Sequence, residues 1–393
     1  MNQDFTDGRR SLLKPYSPPA MWTHYKDSLD PSEARKLVVP SHKVQLINSP
    51  TPIERFSLPE LPEDTPPLFL KRDDLTGGIG ESGNKSRKLE FLLADAILQG
   101  CETIITAGGT QSNHVRQTAA ACAKLKLPLD VVVRKDSNGV NGNVLLNRLF
   151  GARMKVLSKD DYVQGHTFEH LKGRAAAMAE IESDLKHKKP YNIPVGGTSP
   201  VGTWGYIDAA REIISQNQEA FEGPFHHAIG SIVTPIGSSG TACGLGVGMH
   251  LYSLAAALRE DQRISVFGYG TGDTIDEIYD VIDSTLLPRL LSKVAGRQIV
   301  SVKDAKGLGY GKSTTDELQF LSRVARETGV VFDRCYSCKA LMGMWRDLKS
   351  NEPFSTTGKR LKDSGRGILF IHTGGSASLF AAEDALEPLL AKM

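Results

Sequence analysis

Length, composition and charge set the first limits on what this chain does. It has 393 residues, of which 40% are hydrophobic and 23% are charged, and its formal net charge is +2. These are ordinary values for a globular protein, and the length favours two domains. The near balance of charge gives no electrostatic reason to expect nucleic acid or an acidic membrane surface as a partner.

The presence or absence of membrane spans, targeting signals and cysteine patterns bears on the location of the protein and on disulfide or metal binding. The longest apolar stretches are too short to span a membrane, and none follows basic residues at the start as a secretory signal would. Residues 1–7 are acidic, which disfavours a mitochondrial transit peptide, so we expect a cytoplasmic location with a mitochondrial one left open. Five cysteines argue against a disulfide framework. Cys335 and Cys338 lack the second ligand pair that zinc needs, so no metal is expected.

Beyond a Pro-rich arm that ends near residue 40, helix and strand patterns alternate. The first half predicts strands at 42–47, 68–71, 103–107, 129–133, 155–157 and 191–194, helices at 85–100, 113–125 and 166–185, and a further segment at 144–150. The second half predicts helices at 206–214, 241–258, 339–348, within 273–295 and 314–328, and at the end, with strands at 229–234, 264–268, 330–332 and 368–371. This alternation predicts an α/β fold with two open, twisted, mostly parallel sheets flanked by helices, and a cleft between two closely packed domains.

The stretch from residue 80 to residue 92 places Lys85 where glycine-permitted backbone gives way to a helix. The positive end of the helix dipole opposes an ammonium group there, so stability alone would favour a capping Ser or Asp. A lysine near other cations or partly desolvated has a depressed pKa, which formation of a Schiff base with an aldehyde requires. The alternative is an exposed basic helix start flanked by Arg87 and Lys88.

A Gly- and Ser-rich loop follows the predicted strand at 229–234 and precedes a helix. Its backbone amides and hydroxyls converge on one point, which is typical of a phosphate site, although a plain strand-to-helix turn is the alternative. It is not a nucleotide-binding P-loop, because no Gly-Lys-Ser/Thr follows. A phosphate site together with a Schiff-base lysine predicts pyridoxal 5′-phosphate (PLP), which needs both. The loop residues are Gly237, Ser238, Ser239, Gly240 and Thr241.

A second loop, residues 108–114, lies at the carboxyl end of a predicted strand and opens the next helix. Ligands bind at this position in open α/β sheets, and helix amides suit a substrate carboxylate. Asn113 could also donate to the 3′-oxygen of PLP. The alternative is that Ser112 or Asn113 caps the helix without any ligand.

Three other patterns are weaker. The H-x-x-E-H at 166–170 matches an inverted zinc-protease motif but has no evident third ligand. Gly311-Lys312-Ser313 resembles the end of a Walker A motif, but Lys306 stands where the leading glycine should be. The glycines at 244, 246 and 248 lie inside a helix pattern, so close helix packing explains them better than a dinucleotide does.

Taken together, these motifs resemble the D-cysteine desulfhydrase and 1-aminocyclopropane-1-carboxylate (ACC) deaminase family of fold-type-II PLP enzymes. The resemblance covers residues 40–380 and implies a fold like that of the tryptophan synthase β-subunit, with the active site in the interdomain cleft. It implies a large domain at 1–85 and 201–393, a small domain at 86–200, and a homodimer. The motifs that carry it are Ser-Gly-Asn84-Lys85-x-Arg87-Lys88-Leu-Glu-Phe, Gln111-Ser112-Asn113-His114, Pro194-Val-Gly196-Gly197, Gly202-Thr-Trp204-Gly-Tyr206, the 237–241 loop, Gly309-Tyr310-Gly311 and His372-Thr373-Gly374-Gly375.

The resemblance implies a role for each matching residue. Lys85 would join PLP, residues 237–241 would hold its phosphate, and Thr373 would meet its pyridine nitrogen. Asn113 would bind the 3′-oxygen and, with Ser112 and His114, the substrate carboxylate. The residues expected in catalysis are Lys85, Ser112, Tyr310 and Tyr336, and Ser337 is expected to contact the substrate. Cys338 stands where the family usually shows glycine, which is a departure from the pattern.

The activity implied is α,β-elimination of D-cysteine to pyruvate, hydrogen sulfide and ammonia. The deaminase branch carries Glu and Leu at the positions of Ser337 and Thr373, whereas desulfhydrases carry small hydroxyl residues, as this chain does. A neutral hydroxyl opposite the pyridine nitrogen does not stabilise a protonated ring as a carboxylate would, which favours prompt loss of a β-substituent. The alternatives are the deaminase reaction, a lyase for an amino acid such as cysteate or a D-serine analogue, and a PLP-binding protein without turnover.

Overall fold

The structure is a computed structural model that describes residues 8–135, 139–162, 172–185, 188–221, 229–354, 357–382 and 386–387. The H-x-x-E-H pattern at 166–170 and the acidic residues 1–7 lie outside this part of the chain. Within it, the strands form a six-stranded sheet, a four-stranded sheet and a two-stranded ribbon, with helices packed around them. No helix in the described ranges is long and apolar enough to cross a membrane.

We number the elements of the described residues in chain order. The strands are β1 (Leu13–Pro15), β2 (His42–Val44), β3 (Ile53–Phe56), β4 (Leu68–Lys71), β5 (Thr103–Gly109), β6 (Leu129–Arg134), β7 (Arg153–Leu157), β8 (Pro190–Asn192), β9 (Ile229–Ile236), β10 (Ser265–Gly270), β11 (Ser301–Asp304) and β12 (Gly367–Ile371). The α-helices are α1 (Ala20–Asp27), α2 (Pro31–Ala34), α3 (Lys85–Leu98), α4 (Asn113–Lys124), α5 (Gly142–Leu149), α6 (Lys159–Tyr162), α7 (Lys172–Asp184), α8 (Pro200–Phe221), α9 (Gly240–Ala255), α10 (Ile275–Asp280), α11 (Gly296–Ile299), α12 (Thr315–Thr328) and α13 (Ser337–Ser350).

The six-stranded sheet has the order β11-β10-β9-β12-β4-β3, and β3 is its one antiparallel strand. Chain order reverses between β9 and β12, and crevices that bind ligands lie outside the carboxyl ends of strands at such a point. The loop after β9 is the predicted phosphate loop, and the loop after β12 carries Thr373. The topology therefore sets these two predicted site segments side by side.

The four-stranded sheet is parallel throughout and has the order β7-β6-β5-β8. Its chain order reverses at β5, whose carboxyl end leads into residues 110–114 and α4. Apolar clusters cover both faces of each sheet, so the fold is α/β, with two open, mostly parallel sheets flanked by helices. Because one sheet uses strands within 103–192 and the other uses 53–71 and 229–371, we propose the division into domains at 1–85 with 201–393 and at 86–200.

Several predicted elements differ from the observed ones. Residues 330–332 form no strand, because the carbonyl of Val331 pairs with the ring of His372 rather than with a neighbouring strand. The predicted strand at 42–47 ends at Val44. The backbone N–H groups of Leu46 and Ile47 donate to the side chain of Glu90 instead of to a neighbouring strand. The predicted long helix within 273–295 is a continuous helical stretch from 275 to 289, but it passes from α- through π- to 3₁₀-helix. The strands β1, β3 and β11 were not predicted.

The glycine pattern in α9 is explained by packing, as predicted. A Cβ at position 244 would lie 2.6 Å from the Cβ of Tyr206, and one at 248 would lie 2.3 Å from the Cβ of Ala210. Both neighbours belong to α8, so these glycines allow the two helices to approach closely.

A buried ionic cluster anchors α3 two residues after Lys85. The guanidinium of Arg87 lies 2.8 Å from Asp73 and 2.9 Å from Glu212, and the amine of Lys71 lies 2.5 Å from the same Glu212. Lys71, Arg87 and Asp73 are at most 3% exposed. The cluster joins β4, the segment after it, α3 and α8, so it holds the start of α3 against the large sheet.

We expect Arg87→Met to destabilise the fold by about 3–5 kcal/mol, because it leaves the buried carboxylate of Asp73 without its cation and leaves Glu212 with Lys71 alone. Urea unfolding followed by circular dichroism measures the effect. The matched control is Arg259→Met, since Arg259 pairs with Asp261 on the surface and the two side chains are 71% and 68% exposed. That change is expected to cost within about 1 kcal/mol, and equal losses from the two variants would contradict the assignment.

Candidate active site

A cavity of about 450 Å³ lies where the carboxyl ends of β5, β9 and β12 meet the start of α3. It brings together most of the predicted site residues: Lys85, Ser112, Asn113, His114, Gly237, Ser238, Ser239, Thr241, Tyr310, Tyr336 and Thr373. Gly240 and Ser337 do not line it. Both sheets contribute walls, so the cavity spans the cleft that the sequence predicted.

Lys85 is the first residue of α3, as predicted, and its amine donates to the side-chain oxygen of Asn84 at 3.0 Å. Burial lowers the pKa of Lys85 to about 8, although the charge of Asp333 acts in the opposite direction. A substantial fraction of this amine is therefore uncharged near neutral pH, which a nucleophilic amine requires. Asn84 also donates to the hydroxyl of Thr241 at 3.0 Å, so one amide connects the lysine to the phosphate loop.

Lys88 is fully buried one helical turn after Lys85, a location that the sequence did not predict. Its amine donates to the backbone carbonyl of Gly196 at 3.1 Å. A Cβ built on Gly240 would lie 2.9 Å from the same amine, so Lys88 sits beneath the phosphate loop. Burial, followed by the nearby charge of Lys85, lowers the pKa of Lys88 well below its usual value.

The 237–241 loop has a backbone conformation suited to an anion. Ser239, at its centre, has a φ of +62°, and α9 begins at the next residue. Gly237 has no room for a side chain, because a Cβ there would lie 2.5 Å from the ring of Tyr336. The first amides of a helix have no acceptor within it, so the start of α9 adds donors and a positive dipole to the loop hydroxyls.

Ser112 is the N-cap of α4, and its hydroxyl oxygen accepts from the backbone N–H of Val115 at 3.3 Å. The capping alternative is therefore realised, yet the residue also lines the cavity. Its hydroxyl hydrogen remains available as a donor, as do the first two backbone amides of α4 in the ordinary helix pattern. This helix start is a suitable site for a carboxylate.

His114 is 3% exposed, and burial lowers its pKa to about 3, with the charges of Lys85 and Lys88 acting in the same direction. The ring is therefore neutral at physiological pH. The hydroxyl of Thr106 donates to the carbonyl of Ile193 at 2.8 Å, so the 2.9 Å contact between Thr106 and Nε2 of His114 requires the ring nitrogen to donate. Nε2 carries the proton, and His114 offers no cationic charge to a carboxylate.

Tyr310 and Tyr336 form a pair at the cavity wall, with ring centroids 5.8 Å apart and a hydrogen bond between the phenols. Burial, with the neighbouring Tyr310 next in effect, raises the pKa of Tyr336 well above its usual value. Tyr336 is therefore a protonated phenol rather than a base. The guanidinium of Arg134, the last residue of β6, lies 5.5 Å from the centroid of the Tyr310 ring.

Of the two remaining predicted residues, Thr373 lines the cavity and Ser337 does not. Thr373 lines the cavity, and its backbone carbonyl accepts from the N–H of Asn84 at 3.1 Å, which ties the end of β12 to the start of α3. Ser337 is fully buried, and its hydroxyl donates to Asp333 at 2.5 Å. The contact of Ser337 with substrate stays a prediction, because Ser337 does not line the cavity.

Sequence reasoning assigned no role to Asn84, Arg134 or Asp333. Asn84 could have been found as the polar residue directly before the candidate lysine. Arg134 could have been found as a cation one residue past a predicted strand, at the sheet edge where ligands bind. No local pattern distinguishes Asp333, because its importance comes from burial and from the backbone that follows it.

The cavity joins an activated lysine amine, an anion-binding loop and a carboxylate site, which is the donor set that PLP and an amino acid need. The chain belongs to the family of pyridoxal-phosphate dependent enzymes, which it matches over residues 44–373. It is 39% identical over 384 residues to the "Bifunctional D-cysteine desulfhydrase/1-aminocyclopropane-1-carboxylate deaminase, mitochondrial" of Arabidopsis thaliana, covering 96% of this chain and 86% of that protein. It is 35% identical to the "D-cysteine desulfhydrase" of Klebsiella pneumoniae, covering 86% of this chain and 95% of that protein.

Solved structures agree with this assignment. An "ACC deaminase homologue" superposes with a TM-score of 0.70 at 31% identity, covering 92% of this chain and all of that chain. An O-acetylserine sulfhydrylase from Entamoeba histolytica superposes with a TM-score of 0.58 at 15% identity, over 86% of this chain and 89% of that chain, and this shows the shared fold alone.

The residues present fit PLP. The amine of Lys85 suits its aldehyde, and the phosphate loop of residues 237–241 suits its phosphate. The ring of Tyr336 lies against Gly237 and also lines the cavity, so an aromatic side chain is available to a planar cofactor ring. Thr373 lines the same cavity, and its hydroxyl would suit the pyridine nitrogen.

Proposed function

We propose that this protein is a PLP-dependent lyase that converts D-cysteine and water to pyruvate, hydrogen sulfide and ammonia. The observation that carries the proposal is the meeting, in one cavity, of the Lys85 amine, the phenol of Tyr336 and the hydroxyl of Thr373. The names of the Arabidopsis and Klebsiella relatives support the same substrate. The bound cofactor supplies an electron sink that weakens the Cα–H bond of the amino acid.

Different residues of the chain bind the substrate, accept its Cα proton and donate to its leaving group, and their protonation states decide which does which. The Ser112 hydroxyl and the first amides of α4 bind the substrate carboxylate and orient Cα. The amine of Lys85, with a pKa of about 8, takes the Cα proton. Tyr336 stays protonated because its pKa is raised, and we assign its phenol as the donor to the departing sulfur. Tyr310 holds that phenol in place through their hydrogen bond.

A second candidate function, ACC deamination, is favoured by the bifunctional name of the Arabidopsis relative and by the deaminase homologue among the structures. Thr373 argues for the first function. Its hydroxyl leaves the pyridine nitrogen with a neutral hydrogen-bonding partner, which favours rapid loss of the β-substituent.

We expect the purified protein to release sulfide, pyruvate and ammonia from D-cysteine and to form little 2-oxobutanoate from ACC. A panel of D- and L-cysteine, D-serine, cysteate and ACC, assayed in parallel for all four products, tests this. Thr373→Leu removes the hydroxyl and should cost most of the sulfide release, whereas the matched control Thr373→Ser should keep it. Efficient production of 2-oxobutanoate by the wild-type protein would contradict the proposal.

Two further points belong to this proposal. We infer a homodimer, which the family resemblance implies, and sedimentation of the purified chain tests it. We also infer a cytoplasmic location, with the mitochondrial name of the Arabidopsis relative as the competing case. Fluorescence microscopy of the tagged full-length chain distinguishes the two.

A further inference from the structure

A buried carboxylate, Asp333, lies four residues before the start of α13 and takes no part in the reaction as described above. It is fully buried, and its two oxygens accept four hydrogen bonds. Oδ2 accepts from the backbone N–H groups of Cys335 at 2.9 Å and Tyr336 at 3.0 Å. Oδ1 accepts from the backbone N–H of Ser337 at 2.7 Å and from its hydroxyl at 2.5 Å. Three consecutive residues centred on Tyr336 are therefore fastened to one side chain.

Ser337 forms a closed ring with Asp333. Its hydroxyl donates to the carboxylate and accepts from the backbone N–H of Asp333 at 3.0 Å. A hydroxyl has one hydrogen, so Ser337 has none to offer a ligand. It does not line the cavity either, so Ser337 acts on the reaction through its neighbours Asp333 and Tyr336 rather than by touching a ligand.

Asp333 also acts on the cavity through its charge. A Cβ built on Gly375 would lie 2.9 Å from the Cβ of Asp333 and 2.5 Å from the amide nitrogen of Asn113, so the carboxylate lies just behind the cavity wall. Its charge raises the pKa of Lys85, against the larger effect of burial. Lys88, on the same helix, and His114, on α4, also interact electrostatically with Lys85.

We propose that Asp333 is the positioning residue of this site, which fixes the phenol of Tyr336 through the backbone of residues 335–337 and supplies the negative charge that the amine of Lys85 faces. The first part rests on the proposed function, because it concerns the phenol that donates to the leaving group. The second part concerns PLP alone and holds whatever the amino-acid substrate is.

The first experiment tests the effect of the Asp333 charge on the Lys85 amine. Visible absorbance measures how fast the cofactor-free protein captures PLP at each of a range of pH values. Capture requires an uncharged amine, so the midpoint of the rise in its rate with pH reports the pKa of Lys85. Asp333→Asn keeps the shape of the side chain and removes its charge, which lowers that pKa. The midpoint is expected to fall by about one pH unit. The matched control is Asp347→Asn, a buried carboxylate paired with Lys303 outside the cavity, which should leave the midpoint unchanged.

The positioning role is tested by a double-mutant cycle with Tyr336→Phe. Asp333→Asn is expected to lower kcat about 10²-fold with a smaller change in KM, because a misplaced catalytic group loses its alignment. In the Tyr336→Phe background the same change should cost little further, since the phenol is already gone. A merely structural carboxylate would lower the melting temperature and would cost the same factor in both backgrounds.

An unchanged capture midpoint together with equal losses in both backgrounds would overturn the proposal. Should Asp333→Asn fail to fold, Ser337→Ala removes one of the four donors and keeps the charge. It should lower kcat only when Tyr336 is present and should leave the midpoint unchanged, and an equal loss in both backgrounds would again overturn the proposal. If the wild-type protein released no sulfide, the capture experiment would still be interpretable, because it uses PLP alone.

Discussion

Replacing Lys85 by alanine is expected to give a folded protein that cannot attach PLP covalently and has no measurable lyase activity. The amine is the only group of the 84–88 segment that both lines the cavity and has a pKa near neutrality, at about 8. Absorbance spectra of the purified protein with added PLP, before and after dialysis, measure the attachment. Circular dichroism should show an unchanged fold, because Lys85 is the first residue of α3 and its side chain is only partly buried.

Lys88→Met is the control for this experiment, because it keeps the length of a buried side chain and removes the amine. Lys88 is fully buried and does not line the cavity, so the variant should still attach PLP through Lys85, with weaker binding of the phosphate. The assignment is wrong if Lys88→Met loses the chromophore and Lys85→Ala retains it.

The second large effect is expected at the tyrosine pair. Tyr336→Phe should lower kcat by about 10² to 10⁴, since a positioned proton donor contributes about that factor. Attachment of PLP should be little changed, because the ring that packs against Gly237 is retained. Stopped-flow absorbance and steady-state assays of sulfide separate the two steps.

Tyr310→Phe is the matched comparison. Its phenol lies next to Tyr336 and beneath the guanidinium of Arg134, so we expect a smaller loss than in Tyr336→Phe and little further loss in the double variant. Full activity in both single variants would leave Lys85 as the only acid-base group and would refute the proton-transfer role.

The sequence predicted those features of the site that local patterns encode. Helical periodicity located the start of α3 at Lys85, and the loops at 108–114 and 237–241 were placed at the carboxyl ends of strands, where the structure has them. The order of the strands was not predicted, because pairing between distant segments such as β9 and β12 has no local signature. That order is what brings Thr373 beside the phosphate loop.

The prediction for Ser337 shows why the remaining detail could not be read from the sequence. The apolar pattern predicted a helix from residue 339, whereas α13 begins at Ser337. The side chains of two consecutive residues at the start of a helix face different directions. Tyr336 therefore lines the cavity, whereas the hydroxyl of Ser337 donates to the carboxylate of Asp333 behind the cavity wall. This divergence depends on Asp333, whose burial no motif indicates.

The burial of Lys88 makes cofactor binding a proton-coupled event. Before an anion occupies the 237–241 loop, this amine holds its proton less tightly than a lysine in water does, because burial and the charge of Lys85 both lower its pKa. A phosphate in the loop above it favours the charged form, so binding of the cofactor draws a proton from solvent to a group that never touches the substrate. We therefore expect the apparent affinity for PLP to weaken as the pH rises above the pKa of Lys88, independently of the amine that reacts.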